Sequence, residues 1–316
     1  MNPVLALILA NIIWGAASPI FKYALENIPP FTLAFTRFFF AGLLFLPWAV
    51  KSWKELTPKE WFKVFLVGFF GITINISFFF LGLKKTESIN APVIASAGPI
   101  FLYMISVIFL GEKAKTKVFK GMILSLLGVL VIIFSPILLD GHRMILGQIE
   151  GNLMIFLATL GSVFQAVSGR NILKKISYIQ VSVITFLLGS LTFLPFMTNE
   201  LARWNFSMLD VRGWSGIVFG VLFSSAAAYT LFYYGISKIK TQEVGLFTYI
   251  DPIVAVLIAV PLLNEYPNLY YFIGSVLVFA GIYWAEGRIN YHPFSRLRQK
   301  VNKRLETIKH RLEAFS

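Results

Sequence analysis

Along this chain, apolar runs of about twenty residues alternate with short polar connectors. Ten runs stand out, at 3–23, 31–50, 62–83, 90–110, 118–138, 152–173, 179–197, 214–236, 245–263 and 270–286. A helix needs ~20 predominantly apolar residues to cross the hydrocarbon core of a bilayer, and soluble strands and helices are rarely so uniformly apolar. The pattern predicts an all-α membrane protein with ten transmembrane helices.

The pattern also occurs twice. Residues 89–128 read INAPVIASAGPIFLYMISVIFLGEKAKTKVFKGMILSLLG, and 153 positions further on, residues 242–281 read QEVGLFTYIDPIVAVLIAVPLLNEYPNLYYFIGSVLVFAG. Without a gap, Pro99 falls on Pro252, Glu112 on Glu265, Gly121 on Gly274 and Gly128 on Gly281. Upstream the offset is 148, so that Lys22 falls on Arg170 and Phe45-Leu46-Pro47 on Phe193-Leu194-Pro195. The change of offset sits in connectors, where insertions are tolerated. The chain therefore divides into a first five-helix repeat at 1–138, a second at 149–286, and a tail at 287–316.

Five is odd, so two tandem copies must enter the membrane from opposite sides. That is an inverted-topology repeat, with a pseudo-two-fold axis in the membrane plane. Exchanging the conformations of the halves would turn an inward-open protein into an outward-open one of similar energy, which is the logic of secondary transporters with a site near the midplane. A duplicated scaffold and a passive channel are the other readings of the same pattern.

Composition agrees with the class: hydrophobic residues make up 57% of 316 positions, charged residues 14%, and mean hydropathy is +0.74. The first run lacks a basic leader and has a counterpart at 152–173, so a retained helix is expected rather than a cleaved signal peptide. With no Cys, disulfides, thiolate metal sites and Cys nucleophiles are excluded. Alternating the connectors from a cytoplasmic N-terminus puts 21 Lys and Arg on the cytoplasmic side and six on the other, with Arg37 inside a span. The positive-inside rule then places both termini in the cytoplasm of a multi-pass cell-membrane protein. The net charge of +13 accordingly reads as attraction to the anionic leaflet, with no nucleic acid partner.

Trp14-Gly15 followed by Phe21-Lys22, the stretch Thr36-Arg37-Phe38, and the pattern Pro99…Gly111-Glu112 with its copy Pro252…Glu265 resemble the drug/metabolite transporter superfamily, in its EamA-type branch. The second copy departs from the pattern where Asn264 replaces Gly and Ser162 stands where Trp14 would repeat. The resemblance implies a ten-helix carrier that exports or exchanges small polar metabolites, amino acids or related compounds. It also implies a central cavity lined by helices 1, 3, 4, 6, 8 and 9, with helices 5 and 10 as peripheral supports.

Several polar residues inside the spans are candidates for that cavity. Asn11, Trp14 and Ser18 share one face of helix 1, as substrate contacts or as packing. Lys22 is expected to snorkel from the outer end. Arg37, about 9 Å below a boundary at ~1.5 Å per residue, reads as a structural anchor more than a site. Asn75 and Ser77 lie at mid-depth in helix 3; Ser224, Ser225, Tyr229 and Tyr233 lie in its counterpart, helix 8. Gln165 sits in the middle of helix 6. Ser96, Gly98 and Pro99 in helix 4 mirror Tyr249, Asp251 and Pro252 in helix 9, where mid-span prolines predict kinks that act as gates or as packing. Asp251 is the acid deepest inside a span. It is a proton-coupling or amine-binding carboxylate, or else half of an ion pair for which Arg170 is the geometric candidate. The substrate-binding set is thus Trp14, Asn75, Gln165, Tyr229, Tyr249 and Asp251, with Arg37, Pro99 and Pro252 structural or gating. Glu112 and Glu265 are expected to serve as connectors or caps.

In the tail, Phe294, Leu297, Val301, Leu305, Ile308, Leu312 and Phe315 recur every three or four residues among Lys and Arg. That predicts a basic amphipathic helix on anionic headgroups, or a partner-binding segment. The sequence has no phosphate-binding G-x-x-x-x-G-K-[ST], so no ATP-driven engine; no cofactor or metal is expected, since His142, His292 and His310 lack ligand spacing. With no nucleophile–base constellation, an enzyme is not expected. The rivals to a carrier are a membrane-embedded enzyme or flippase for a lipid-linked substrate, or a channel; the state is monomer or homodimer.

Overall fold

The computed structural model describes residues 2–110, 116–139, 145–169, 172, 175–236, 238 and 247–286. Among these residues all regular structure is helical. The elements are α1 (Pro3–Ala24), α2 (Pro30–Lys51), α3 (Pro58–Gly68), which continues through a π-helical stretch Phe69–Ile74 into α4 (Asn75–Leu83), then α5 (Asn90–Ser96), α6 (Gly98–Leu110), α7 (Thr116–Leu139), α8 (Ile145–Gly169), α9 (Tyr178–Thr192) and α10 (Leu194–Leu201). There follow α11 (Val211–Val218), which continues through a second π-helical stretch Phe219–Ala227 into α12 (Ala228–Ile236), α13 (Ile250–Leu263) and α14 (Leu269–Glu286).

Among the described residues, six helices are long and apolar enough to cross a bilayer: Pro3–Ala24, Pro30–Lys51, Pro58–Leu83, Thr116–Ile137, Leu146–Gly169 and Val211–Phe232. A seventh span would be α9 with α10, bent by 47° at Phe193 and Pro195, and Asn90–Ile105, Phe247–Leu263 and Leu269–Ala285 are shorter apolar helices. The expected fourth span is divided at Ala97, and its predicted end lies against residues 111–115, outside the described set. Large apolar side chains cover much of the outer surface, among them Phe62, Leu257, Val276 and Ile253. That is the surface a hydrocarbon solvent requires. The predicted tail helix, Glu112, Arg170 and the three His fall outside the described residues, as does the side chain of Tyr233.

Local chemistry fixes several helix starts. Asn2 accepts from the Val4 amide at 2.9 Å ahead of Pro3, Thr57 and Glu60 form a reciprocal capping box ahead of Pro58, and Ser177 accepts from Gln180. Each satisfies donors that the first turn leaves without an intrahelical partner. At the far end of α13, Asn264 adopts a left-handed conformation with φ 56°, the one positive φ outside glycine among the described residues. Asn is the side chain that best tolerates a position otherwise taken by Gly, which explains why Asn264 stands where the first copy has Gly111.

Five pairings organise the packing: α1 lies against α12 and α13, α2 against α9, α4 against α8, and α7 against α14. The α7/α14 seam is reciprocal. A Cβ on Gly128 would come within 2.6 Å of the Gly274 carbonyl oxygen, and one on Gly274 within 2.9 Å of the Gly128 oxygen. Gly121 and Gly281 meet in the same manner, and the Ser125 hydroxyl donates to the Val278 carbonyl at 2.8 Å. Because 121 meets 281 and 128 meets 274, the two helices run antiparallel. Small residues allow this approach, which leaves dispersion to hold the seam. On the α2/α9 contact, Phe38 and its counterpart at the 148 offset, Phe186, touch with ring centroids 5.2 Å apart.

Candidate functional site

Two π-helical stretches lie at corresponding places in the two copies, and most of the candidate polar groups gather around them. A π turn widens the helix and interrupts the i→i−4 ladder, a feature frequent at functional sites. Each stretch contains or adjoins glycine, Gly71 in the first and Gly220 in the second, but hydrophobic periodicity does not distinguish a π turn from an α turn.

Around the second stretch, Trp14 of α1 donates from Nε1 to the Ser224 carbonyl at 3.2 Å. Its ring meets Tyr229 edge-on at 5.4 Å and Phe232 at 5.0 Å. Tyr229 in turn lies edge-on to Phe186 of α9 at 5.5 Å. Arg37 is buried beside them. Its Nε donates to Ser225 Oγ at 3.1 Å and its Nη2 to Ser224 Oγ at 2.9 Å, while the guanidinium stacks over Phe21 and Phe38 at 4.7 and 4.6 Å. Two hydroxyls and two aromatic faces thus receive a charge that would otherwise be stranded in an apolar interior. Ser224 and Ser225, candidates for lining a cavity, spend their hydroxyls on this anchor.

Around the first stretch, Asn75 donates from Nδ2 to the Ala158 carbonyl of α8 at 2.6 Å. The Gln165 amide lies directly over Gly71, where a Cβ would overlap it, and Phe70 stacks on Phe164 with centroids 5.2 Å apart. Asn75 and Gln165 therefore belong to the α4/α8 crossing, and Trp14, Tyr229 and Arg37 to the α1/α2/α12 crossing.

Asp251 and Tyr249 enter from α13. Tyr249 closes a short 3-10 turn and packs edge-on against Phe279 at 4.9 Å. Asp251 lies in the first turn of α13, and its backbone packs on Gly15, next to Trp14: a Cβ on Gly15 would come within 2.7 Å of the Asp251 carbonyl oxygen. One carboxylate oxygen, Oδ1, is buried with no hydrogen-bond partner. Arg170, its expected partner, lies outside the described residues. Pro252 and Pro99 stand in the first turns of α13 and α6 rather than at mid-helix. In each copy the chain breaks just before the proline, at Ala97 or at the 3-10 turn, because proline suits a first turn, where its missing N–H costs nothing.

A third polar group was not legible as a unit. Lys22 does not snorkel: its Nζ donates to Glu265 Oε1 at 2.5 Å and to the Thr86 carbonyl at 2.6 Å. Glu265 Oε2 accepts from the Ser88 amide at 2.7 Å and the Ser88 hydroxyl at 2.6 Å. Beside it, Thr86 and Asn90 both donate to Asn152 Oδ1, at 2.6 and 3.2 Å, Asn90 also donates to the Thr86 hydroxyl at 3.4 Å, and Asn152 donates from Nδ2 to the Ile132 carbonyl at 3.1 Å. No group of three or more His, Cys, Asp or Glu suited to a metal occurs among the described residues.

Comparison with known proteins places this arrangement. The sequence pattern of the EamA-like transporter family matches residues 1–134 and again 149–286. The chain is similar to the uncharacterized transporter YetK of Bacillus subtilis (strain 168), with 29% identity over 90% of this chain and 86% of the relative. It is also similar to an uncharacterized transporter of Archaeoglobus fulgidus, with 30% identity over 90% of this chain and 98% of the relative. A solved crystal structure superposes with a TM-score of 0.63 over 92% of this chain and 98% of that one, at 16% identity, a likeness of fold.

Proposed function

From the premise that the chain belongs to the EamA-like transporter family, and so is a multi-pass membrane transporter, we propose that it is a secondary carrier of small polar metabolites, amino acids or related compounds, working by alternating access. In this reading ten helices form two inverted five-helix repeats, both termini face the cytoplasm of the cell membrane, and export or exchange is the direction of use.

The observation that carries the reading is the reciprocal seam of α7 and α14. Gly128 and Gly274 approach each other's carbonyls, and Gly121 and Gly281 do likewise, each helix using the residues that the other uses. Reciprocal contacts between equivalent residues of antiparallel helices are what a two-fold axis perpendicular to those helices produces. For helices that cross a membrane, that axis lies in the membrane plane, and the halves are inverted.

The substrate site is assigned to the groups around the two π-helical stretches: Trp14 and Tyr229 on one crossing, Asn75 and Gln165 on the other, with Tyr249 and Asp251 from α13. Aromatic walls with a few placed polar groups suit a small amphipathic solute. Asp251 supplies the energetic coupling. A carboxylate oxygen buried without a partner costs several kcal/mol if the group is charged, so the group takes a proton or a substrate ammonium.

Counterflow in proteoliposomes loaded with an amino-acid pool, with and without a pH gradient, tests this. Accumulation of labelled solute against trans substrate is expected, driven by the gradient in the wild type and not in Asp251→Asn. Flux without dependence on trans substrate would make the protein a channel, and flux indifferent to both pH and the substitution would remove Asp251 from coupling.

A further inference from the structure

We infer that Lys22, Glu265 and Ser88 form a latch that holds one mouth of the carrier closed. This inference rests on the alternating-access reading and adds its control element. Three segments distant in sequence meet here: the last turn of α1, the connector from α4 to α5, and the residues just after α13. Glu265 joins all three, because Oε1 takes the Lys22 ammonium while Oε2 takes both the amide and the hydroxyl of Ser88. Lys22 adds a second tie to the connector through the Thr86 carbonyl.

The chemistry suits a contact that is made and broken. Glu265 is only 7% exposed and Lys22 25%, so the pair is nearly shielded from water on one side and open on the other. A fully buried pair costs more in desolvation than it returns, and a fully exposed one contributes little. A pair at a rim, with four hydrogen bonds to share, favours closure without making it irreversible. Geometry gives the same assignment. Asn264 turns the chain left-handed immediately before Glu265, which aims the carboxylate back across the end of the bundle toward α1. One turn below Lys22 on the same face, Ser18 is buried and its hydroxyl has no hydrogen-bond partner. Ser18 thus lies beneath the latch, where an open mouth would bring water. The repeat counterparts of the pair in sequence, Arg170 and Glu112, lie outside the described residues.

The natural absence of cysteine makes the test direct. Ser18→Cys in proteoliposomes is labelled with a membrane-impermeant maleimide from each side in turn, while counterflow is measured on the same preparations. On a background of Glu265→Gln, labelling from the latch side is expected to rise roughly tenfold, with labelling from the opposite side unchanged or reduced. Ser88→Ala, a milder change that keeps the ion pair, is expected to give a smaller rise in the same direction, and it stands in if Glu265→Gln does not fold. Unchanged latch-side labelling in a folded variant, with counterflow intact, would overturn the latch and leave the carrier reading standing. Faster labelling without counterflow in any preparation would uphold the latch as a closure and overturn the carrier reading.

Discussion

The two helix crossings that flank the middle of the molecule share a frame and differ in contents. At one, α1 passes the π-helical stretch Phe219–Ala227; at the other, α8 passes the stretch Phe69–Ile74. By the repeat, Ser224 corresponds to Gly71, Trp14 to Ser162, Arg37 to Thr185 and Asp251 to Gly98. The first crossing is filled by an indole, a guanidinium and a tyrosine; the second by an amide laid over a glycine. The close approach is not retained: a Cβ on Gly15 would come within 2.7 Å of Asp251, whereas one on Gly98 would meet Thr159 and Val163 only at 3.6 and 4.0 Å, an ordinary contact. The same repeat positions meet at both crossings, but the polar groups they carry differ; on the carrier reading proposed above, that difference suits an asymmetric solute.

The seam of α7 and α14 shows the opposite tendency, since both partners keep their glycines. If the seam is common support, breaking it from either side should cost the same. Gly128→Leu and Gly274→Leu each insert a side chain where a Cβ already approaches a backbone oxygen at 2.6 and 2.9 Å. Each is expected to destabilise by about 3 kcal/mol, the upper range of overpacking. Thermal unfolding in detergent measures it. Unequal losses for the two glycines would show that the seam is not shared evenly.

The crossings should respond unequally. Arg37→Ala removes two hydrogen bonds to Ser224 and Ser225 and empties the space between Phe21 and Phe38, partly offset by relief of a desolvated charge. A net loss of about 2 kcal/mol is expected. Thr185→Ala, at the mirrored position, removes a hydroxyl bonded only to the Ser182 carbonyl of its own helix and should cost less than about 0.5 kcal/mol. Similar losses at both positions in the same unfolding assay would mean that Arg37 is no special anchor.

What the sequence made legible follows from what is periodic or repeated. Helix positions and the matching of Gly121 with Gly274 could be read because apolar runs and glycine spacing repeat in the chain. The partner of Lys22 could not, because Glu265 lies 243 positions away and its role depends on a left-handed turn at Asn264. The π-helical stretches were equally hidden, since their apolar pattern is that of an α-helix. The sequence predicts Pro99 and Pro252 at mid-helix, because it does not show that the chain breaks one or two residues earlier. The sequence assigns each candidate to its own helix, whereas the structure groups them by crossing: Trp14 with Tyr229, and Asn75 with Gln165.

The smallest effect concerns a residue without a like counterpart. Glu87 lies in the connector beside the Lys22–Glu265 pair, and the repeat places Lys240 in sequence at the mirrored position. Burial raises the Glu87 carboxyl above its ordinary value of 4.5, the charge of Glu265 raises it further, and Lys22 partly opposes both. The folded protein therefore holds this proton to a higher pH than the unfolded chain does. Stability from this group is full below pH 4.5, declines as pH rises from there through the raised value, and then levels at its lower plateau. Glu87→Gln cannot ionise, so the decline disappears. The variant should match the wild type in acid and exceed it modestly at neutral pH, by a few degrees at most in unfolding temperature. A variant less stable than the wild type at neutral pH would show that the ionised carboxylate is favourably held by Lys22, and that the mirrored halves differ here in charge without a cost.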